Sequence, residues 1–404
     1  MHPALQGLVT IVVGVGGCVG YFYLSNFLLD RFLLPARAYS AEESAARRRT
    51  GTIIVFLLPA LLIAALYIAY FGLDGIFTST GLFWLAIVLA LIFGLWRLRD
   101  YVYGEGELTA GRNISHANMI RPWLFLLPAI LALGLYLTYP VFETLRLSVT
   151  QRNFSTGSYD FVGLQNYAQM MDEPKFWEAM RNNMLWLIVV PALSTGFGLL
   201  VAQLTDRISW GNIAKMFIFM PMAISFVGAS VIWKLVYDAR PEGQGQIGIL
   251  NALWVNLGGD PQNWLTLPFW NNFFLMAVLI WIQTGFAMVI LSAALRGIPE
   301  ETVEAAIVDG AGPFQIFFKI KVPQIVPTIV VVWTTITLVV LKVFDIVFAM
   351  TNGQWGTQVL ANYMYSKLFT ANDWGVGSAS AMVIMLLVTP ILVWNVRNAR
   401  REMK

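Results

Sequence analysis

The side chains that usually carry covalent chemistry are scarce and scattered in this sequence. The two histidines, His2 and His116, stand far apart, and the single cysteine, Cys18, lies in an apolar run beside Gly16, Gly17 and Gly20. An internal disulfide and a cysteine metal cluster are therefore excluded. No Gly-x-x-x-x-Gly-Lys-Ser/Thr loop occurs, so the chain lacks that cradle for nucleotide phosphates. Catalysis, a metal centre and redox chemistry have nothing to stand on, and nothing points to nucleic acid. The patterned residues point to non-covalent work, and the densest pattern is Glu304-Ala305-Ala306-Ile307-Val308-Asp309-Gly310-Ala311-Gly312-Pro313.

Pro299 followed by Glu300 and Glu301 makes a good helix start, because proline fits the first turn and acids favour the positive end of the helix dipole. Ala305, Ala306, Gly310 and Ala311 then follow at helical spacing, where small side chains let another protein's backbone approach. Gly312-Pro313 breaks the helix, and a second amphipathic run, Phe314, Phe317, Phe318 and Ile320, leads to Pro323. The segment reads as a helix lying along a membrane surface with a face shaped for docking.

The elements that must position it are set by composition. Of 404 residues, 58% are hydrophobic and 12% charged, with a mean hydropathy of +0.67, whereas soluble domains carry about 25% charge. The apolar residues come in long runs, and about 20 such residues span the hydrocarbon layer as a helix. Runs near 5–29, 52–73, 77–96, 122–145, 184–205, 214–236, 272–295, 326–349 and 376–396 give about nine transmembrane helices. The first run lacks a basic leader and is as long as a full span, so it is expected to stay as a helix. An all-α, polytopic helical bundle is expected rather than a barrel, since no segment alternates as lipid-facing strands do.

Most Lys and Arg residues fall in 30–51, 97–121, 206–213, 296–325 and the tail from Arg397. Basic residues resist translocation, so these are the cytoplasmic segments; the C-terminus lies inside and the N-terminus outside. The basic stretch 97–121 divides a three-helix extension, 1–120, from a six-helix core, 121–404.

With its Glu-Ala-Ala, its glycine four residues after the second alanine, and the later Ile320 and Pro323, the 296–325 loop resembles the signature loop of binding-protein-dependent ABC importer permeases. Asp309-Gly310-Ala311 is similar to the form common in sugar permeases. The resemblance implies a coupling helix seated in a groove of a cytosolic ATPase, with Glu304, Ala305, Ala306, Asp309, Gly310 and Ala311 transmitting ATP-driven closure. It extends over about 120–404. Phe125-Leu126-Leu127-Pro128, in a span closing at Tyr139-Pro140, resembles the first core helix. Phe161 to Tyr167 with Phe176-Trp177 resembles the segment before the second, and Phe344-Asp345 with Thr351-Asn352-Gly353 the outer end of the fifth. The chain is similar to the larger permease subunit of maltose-type carbohydrate importers, and most resembles their α-glucoside branch. This implies a type I importer core in the bacterial cytoplasmic membrane, paired with a second permease and two copies of an ATP-binding subunit that holds the ATP and Mg. A soluble solute-binding protein would deliver the sugar from outside. The departure from the maltose type is the N-terminal extension, three helices instead of two; Gly16 and Gly20 would let it pack closely.

Polar groups in spanning helices are costly and so mark sites, unless they serve helix-to-helix hydrogen bonding. Trp281, Gln283, Thr284 and Phe286 match solute-facing positions of that family, and an amide beside aromatic faces suits a sugar. Met222 and Ser225, after Pro221, match another part of the same site. Lys342 and Asp345, three apart, are read as a pair on one helix face, either near the solute path or purely structural. The positions before Lys342 that are polar in the maltose-type family are Ile336, Val339 and Val340 here, which leaves open how much of the sugar this subunit holds. The competing class, an ion-coupled secondary transporter, needs intramembrane acids, and the spans hold only Asp345 near an outer end and Glu143 at the close of 122–145. In a Cys18→Ser background, cysteines placed at Gln315 and at Asp260 are expected to react with a membrane-impermeant maleimide from opposite sides. Labelling of both from one side contradicts the topology.

Overall fold

The computed structural model describes residues 133–402, apart from 154–156 and 207, with scattered positions before 133. The spans expected near 5–29, 52–73 and 77–96, part of the first half of 122–145, the extension 1–120 as a unit, and Arg207 lie outside the described residues. The contacts divide the chain into Met1–Tyr139 and Pro140–Lys404, and the second unit holds both the docking segment and the expected solute residues.

Helix α1, Tyr139–Ser148, continues directly from a π-helical turn, Gly134–Thr138, so the helix runs on past Pro140, a residue expected to close the span. A short hairpin follows, β1 Thr150–Arg152 against β2 Tyr159–Phe161, with Gln151 opposite Asp160. Next come α2, Gln165–Asp172, and α3, Pro174–Thr205. At 32 residues, α3 is about 48 Å long, more than a hydrocarbon layer needs. It starts ten residues before the apolar run at 184, because Lys175, Glu178 and Arg181 end hydrophobicity without ending a helix.

The span expected at 214–236 is broken. Helix α4, Gly211–Phe219, tightens into the 3-10 turn Met220–Ala223, and the chain bends by 107° before α5, Phe226–Val236. Pro221 removes a backbone donor from the turn. Ser225 then leaves the helical region and caps α5, its Oγ accepting the Gly228 N–H at 3.1 Å. Helix α6, Ile249–Asn256, lies in the connection to α7, Trp270–Arg296, which closely matches the run 272–295. Helix α8, Glu300–Val308, begins after Pro299 as its residue pattern requires.

The helical stretch Pro313–Gln324 bends by 71° into α9, Val326–Leu341. The run expected to continue to 349 stops there: Lys342 caps α9, and α10 is Asp345–Met350. In an unbroken helix Asp345 would lie within the span; the break instead sets its carboxylate in a first turn, at the positive end of a dipole. Helix α11, Leu360–Tyr365, and α12, Trp374–Glu402, complete the unit. Among the described residues three helices are long and apolar enough to cross a membrane, α3, α7 and Trp374–Val393 of α12. The two bent pairs bring the number to five if each is one span.

The core lies between α3, α5, α7 and α9, around Trp186, Leu275, Met288 and Ile336. Hydrocarbon gives helices no hydrophobic reason to associate, so small residues at the contact decide how close they come. A Cβ on Gly198 of α3 would fall 2.4 Å from the Ala287 Cβ of α7, and one on Gly285 would fall 2.6 Å from the Ile218 carbonyl of α4. Gly198→Val is expected to cost about 1–3 kcal/mol by overpacking, seen as a lower Tm in detergent. Gly196→Val, two residues away where a Cβ meets nothing within 4 Å, should change little. Equal Tm values for the two variants would contradict this packing.

Candidate functional site

The docking segment is built as its residues demand. Helix α8 ends in a left-handed cap: Gly310 has φ +81°, its N–H reaches the Ile307 carbonyl at 3.0 Å, and the Ala311 N–H reaches Ala306 at 2.9 Å. This paired closure is a Schellman motif, and glycine is the residue that adopts it without strain. A Cβ at Gly310 would meet no neighbour within 4 Å, so its requirement is the backbone conformation and not space. The second stretch is held by the Gly312 N–H donating to the Gln315 side chain at 3.1 Å.

Helix phase sorts the expected docking residues. Ala306 is buried and Ala311 half-buried, so these two small residues turn toward the chain itself. Glu304, Ala305, Asp309 and Gly310 are exposed, together with Ile307, Val308 at 87% and Phe314 at 80%. The free face is thus one acidic corner followed by large apolar side chains.

The solute residues are also divided. Gln283, Met222 and Ser225 line one open cavity of about 450 Å³, with Ile224, Phe226 and Asp345. Its wall is the elbow between α4 and α5 on one side and α7 on the other. Gln283 makes no hydrogen bond to any described residue and its amide opens onto this space, which has three polar groups above an apolar floor. Trp281 and Thr284 are elsewhere, in an apolar cleft of about 620 Å³ between α3, α4 and α7. Thr284 Oγ1 donates back to the Ile280 carbonyl at 2.7 Å, and Trp281 packs edge-on to Trp233 at 5.8 Å. Phe286 packs against the core. The expected amide flanked by Trp281 and Phe286 is therefore not formed. Positions 281 and 283 differ by about 200° around a helix, and Phe226 supplies the ring beside Gln283 instead.

Lys342 and Asp345 are not a pair. The end of α9 lies between them; Lys342 lines a second apolar cavity with Phe344, Met364 and Tyr365, whereas Asp345 faces Gln283.

One cluster has no counterpart among the residues expected from sequence. The loop 351–359 holds left-handed backbone at Asn352, Gly353, Trp355 and Gly356. Asn182 Nδ2 donates to the carbonyls of Gly356 at 2.9 Å and Gln358 at 2.8 Å, and Asn183 Oδ1 accepts from the Leu360 N–H at 2.8 Å. Asn271 donates to the Trp355 carbonyl at 2.6 Å and Asn272 to Gly356 at 3.2 Å. Two Asn-Asn pairs, each near the same end of an apolar run, were the available signal.

A sequence-family model described as a binding-protein-dependent transport system inner membrane component matches residues 194–403. The alpha-glucoside transport system permease protein AglF of Rhizobium meliloti is 64% identical over 307 residues, covering 75% of this chain and 90% of the relative. The osmoprotective compounds uptake permease protein GgtC of Synechocystis is 47% identical over 281 residues, covering 70% and 99%. Among solved structures, a bacterial ABC transporter involved in the import of the acidic polysaccharide alginate superposes with a TM-score of 0.61 at 21% identity, covering 71% of this chain and 98% of that one. The likeness extends to the fold.

A β-branched residue at Gly310 is expected to strain the left-handed cap by about 1–2 kcal/mol. Gly310→Val should speed hydrogen exchange across 304–315, and Gly310→Asn, which tolerates this conformation, should stay near the parent. Equal exchange in the two variants would contradict the assignment.

Proposed function

The chain belongs to the binding-protein-dependent transport system inner membrane components, and from that premise we propose that it is the permease subunit of an ATP-driven importer for an α-glucoside or a related neutral carbohydrate. The fold class follows from membership: a helical, multi-pass permease of the inner membrane. The observation that carries the substrate class is the cavity beneath the elbow, where Gln283, Ser225 and Asp345 converge over Met222, Phe226 and Ile282. An amide and a carboxylate bind hydroxyls, and a ring covers the apolar C–H face of a sugar. The name of the 64% identical relative agrees with this chemistry.

The remaining parts of the proposal follow from the docking segment. Residues 296–325 face the cytoplasm, with the C-terminus inside and the N-terminus outside. Glu304, Ala305 and Ala306 on the helix, with Asp309, Gly310 and Ala311 in its cap, build the segment that seats in an ATP-binding subunit; Ala306 and Ala311 hold the segment's shape, and Glu304 with the exposed Val308 and Phe314 makes the contact. Two such subunits bind the ATP and Mg, and a second permease completes the path. A soluble binding protein releases the sugar into the outward-open cavity. Trp281, Thr284 and Phe286 serve packing. Closure of the ATP-binding subunits shifts the permease pair between two packings, so only a solute that favours one state is moved.

The test is uptake by proteoliposomes containing the full assembly, over a panel of labelled glucosides and polyols. ATP-dependent accumulation of an α-glucoside is expected. In Gln283→Leu the half-saturating concentration for release into the lumen should rise about five-fold, the worth of one hydrogen bond near 1 kcal/mol. Uptake that needs an ion gradient and not ATP would refute the proposal.

A further inference from the structure

At the end of the bundle next to the docking segment, one carboxylate joins three helices. Asp206 caps the C-terminus of α3. It accepts from the Lys215 ammonium of α4, from Arg296 Nη2 at 2.9 Å and Nε at 3.1 Å, and from Ser292 Oγ at 3.3 Å to each oxygen, the last two residues belonging to α7. Lys215 also donates to Ser292 Oγ. A carboxylate after the last turn of α3 stands at the negative end of its dipole, where an acid is disfavoured. Burial would also raise its pKa, yet the hydrogen bonds from Lys215 and Arg296 outweigh that and hold the carboxyl below its ordinary value. Its charge is therefore kept by partners on other helices and not by its own.

Both sides of this junction are stiff. The turn from α3 to α4 is so tight that a Cβ on Gly211 would fall 1.8 Å from the Thr205 carbonyl. Arg296 is the last residue of α7, with Gly297, Ile298 and Pro299 alone between it and α8. On the other side, α4 runs from Lys215 to the turn Met220–Ala223 and the Ser225 elbow, which forms the cavity wall opposite Gln283.

We infer that Asp206, Lys215 and Arg296 form the linkage through which displacement of α8 reaches the elbow that lines the solute cavity. Asp206 is then a positioning residue: it touches no solute, and it makes α4 follow α7. An isolated surface ion pair contributes little. Here one anion holds two cations and a hydroxyl from two other elements, which specifies a single arrangement of three helix ends. Movement of α8 then cannot slip past α4 without breaking the set. The inference rests on the proposed importer function for what moves α8.

The experiment uses the full transporter in proteoliposomes and reads ATP hydrolysed per solute imported, with the amount of assembled complex as control. Asp206→Asn is expected to assemble and hydrolyse ATP while consuming about ten-fold more ATP per solute, in the range of typical coupling free energies. Asp206→Glu, which keeps the charge, should restore most of the coupling. An unchanged ratio in Asp206→Asn, whether both rates hold or both fall together, would overturn the linkage and leave the importer function standing. Parent transporter that hydrolyses ATP without importing any solute would refute the importer function, and the linkage with it.

Discussion

Hydrocarbon offers no water to a backbone that leaves its helix, so each interruption inside an apolar run must be compensated by groups placed for the purpose. The described part of this protein is organised by two such interruptions and by one irregular loop between runs. At 220–225 a proline and a serine cap turn one span through 107°. At 342–344 the helix stops and restarts with Asp345 in the new first turn. At 351–359 four left-handed residues are held by asparagine side chains from α3 and α7. The two interruptions border the cavity proposed for the solute, and the loop lies at one end of the same bundle.

The uninterrupted helices have the complementary part. Helices α3 and α7 approach through Gly198 and Ala287, close enough that no larger residue fits at Gly198. Helix α7 also carries Gln283 toward the cavity and leads within a few residues to α8. A shift of α8 is therefore a shift of the wall that faces the elbow. Interiors packed this tightly change between discrete arrangements and do not deform smoothly, which suits a cavity that must be open to one side at a time.

Much of this was legible in the sequence where the physics is one-dimensional. Apolar length located α7 almost to the residue, and Pro299 with Glu300 and Glu301 located the start of α8. The sequence misplaces the end of α8: Gly312-Pro313 reads as the break, but the helix stops at Val308 and Gly310 forms its left-handed cap. What required a third dimension was not legible. Trp281 and Gln283 are neighbours in the sequence and nearly opposite on the helix, so one faces an apolar cleft and the other the cavity. Lys342 and Asp345 fit an i,i+3 pair on paper, but a helix end separates them. Hydropathy ran straight through the bend at Ser225 because the bend is made by Pro221 and a cap, not by polarity. The asparagines around the loop 351–359 and the Asp206 junction draw their meaning from partners up to 177 residues away, as in the Asn183 bond to Leu360.

The central claim is that α8 and the turn after it are the surface on which another chain's nucleotide cycle acts. Its most direct test is a photo-activatable side chain in place of Val308, the most exposed large apolar residue of the segment, in the assembled transporter in its membrane. The account predicts a cross-link to an ATP-binding subunit whose yield changes between nucleotide-free and ATP-bound states. A cross-link to lipid alone, or one indifferent to nucleotide, would contradict it.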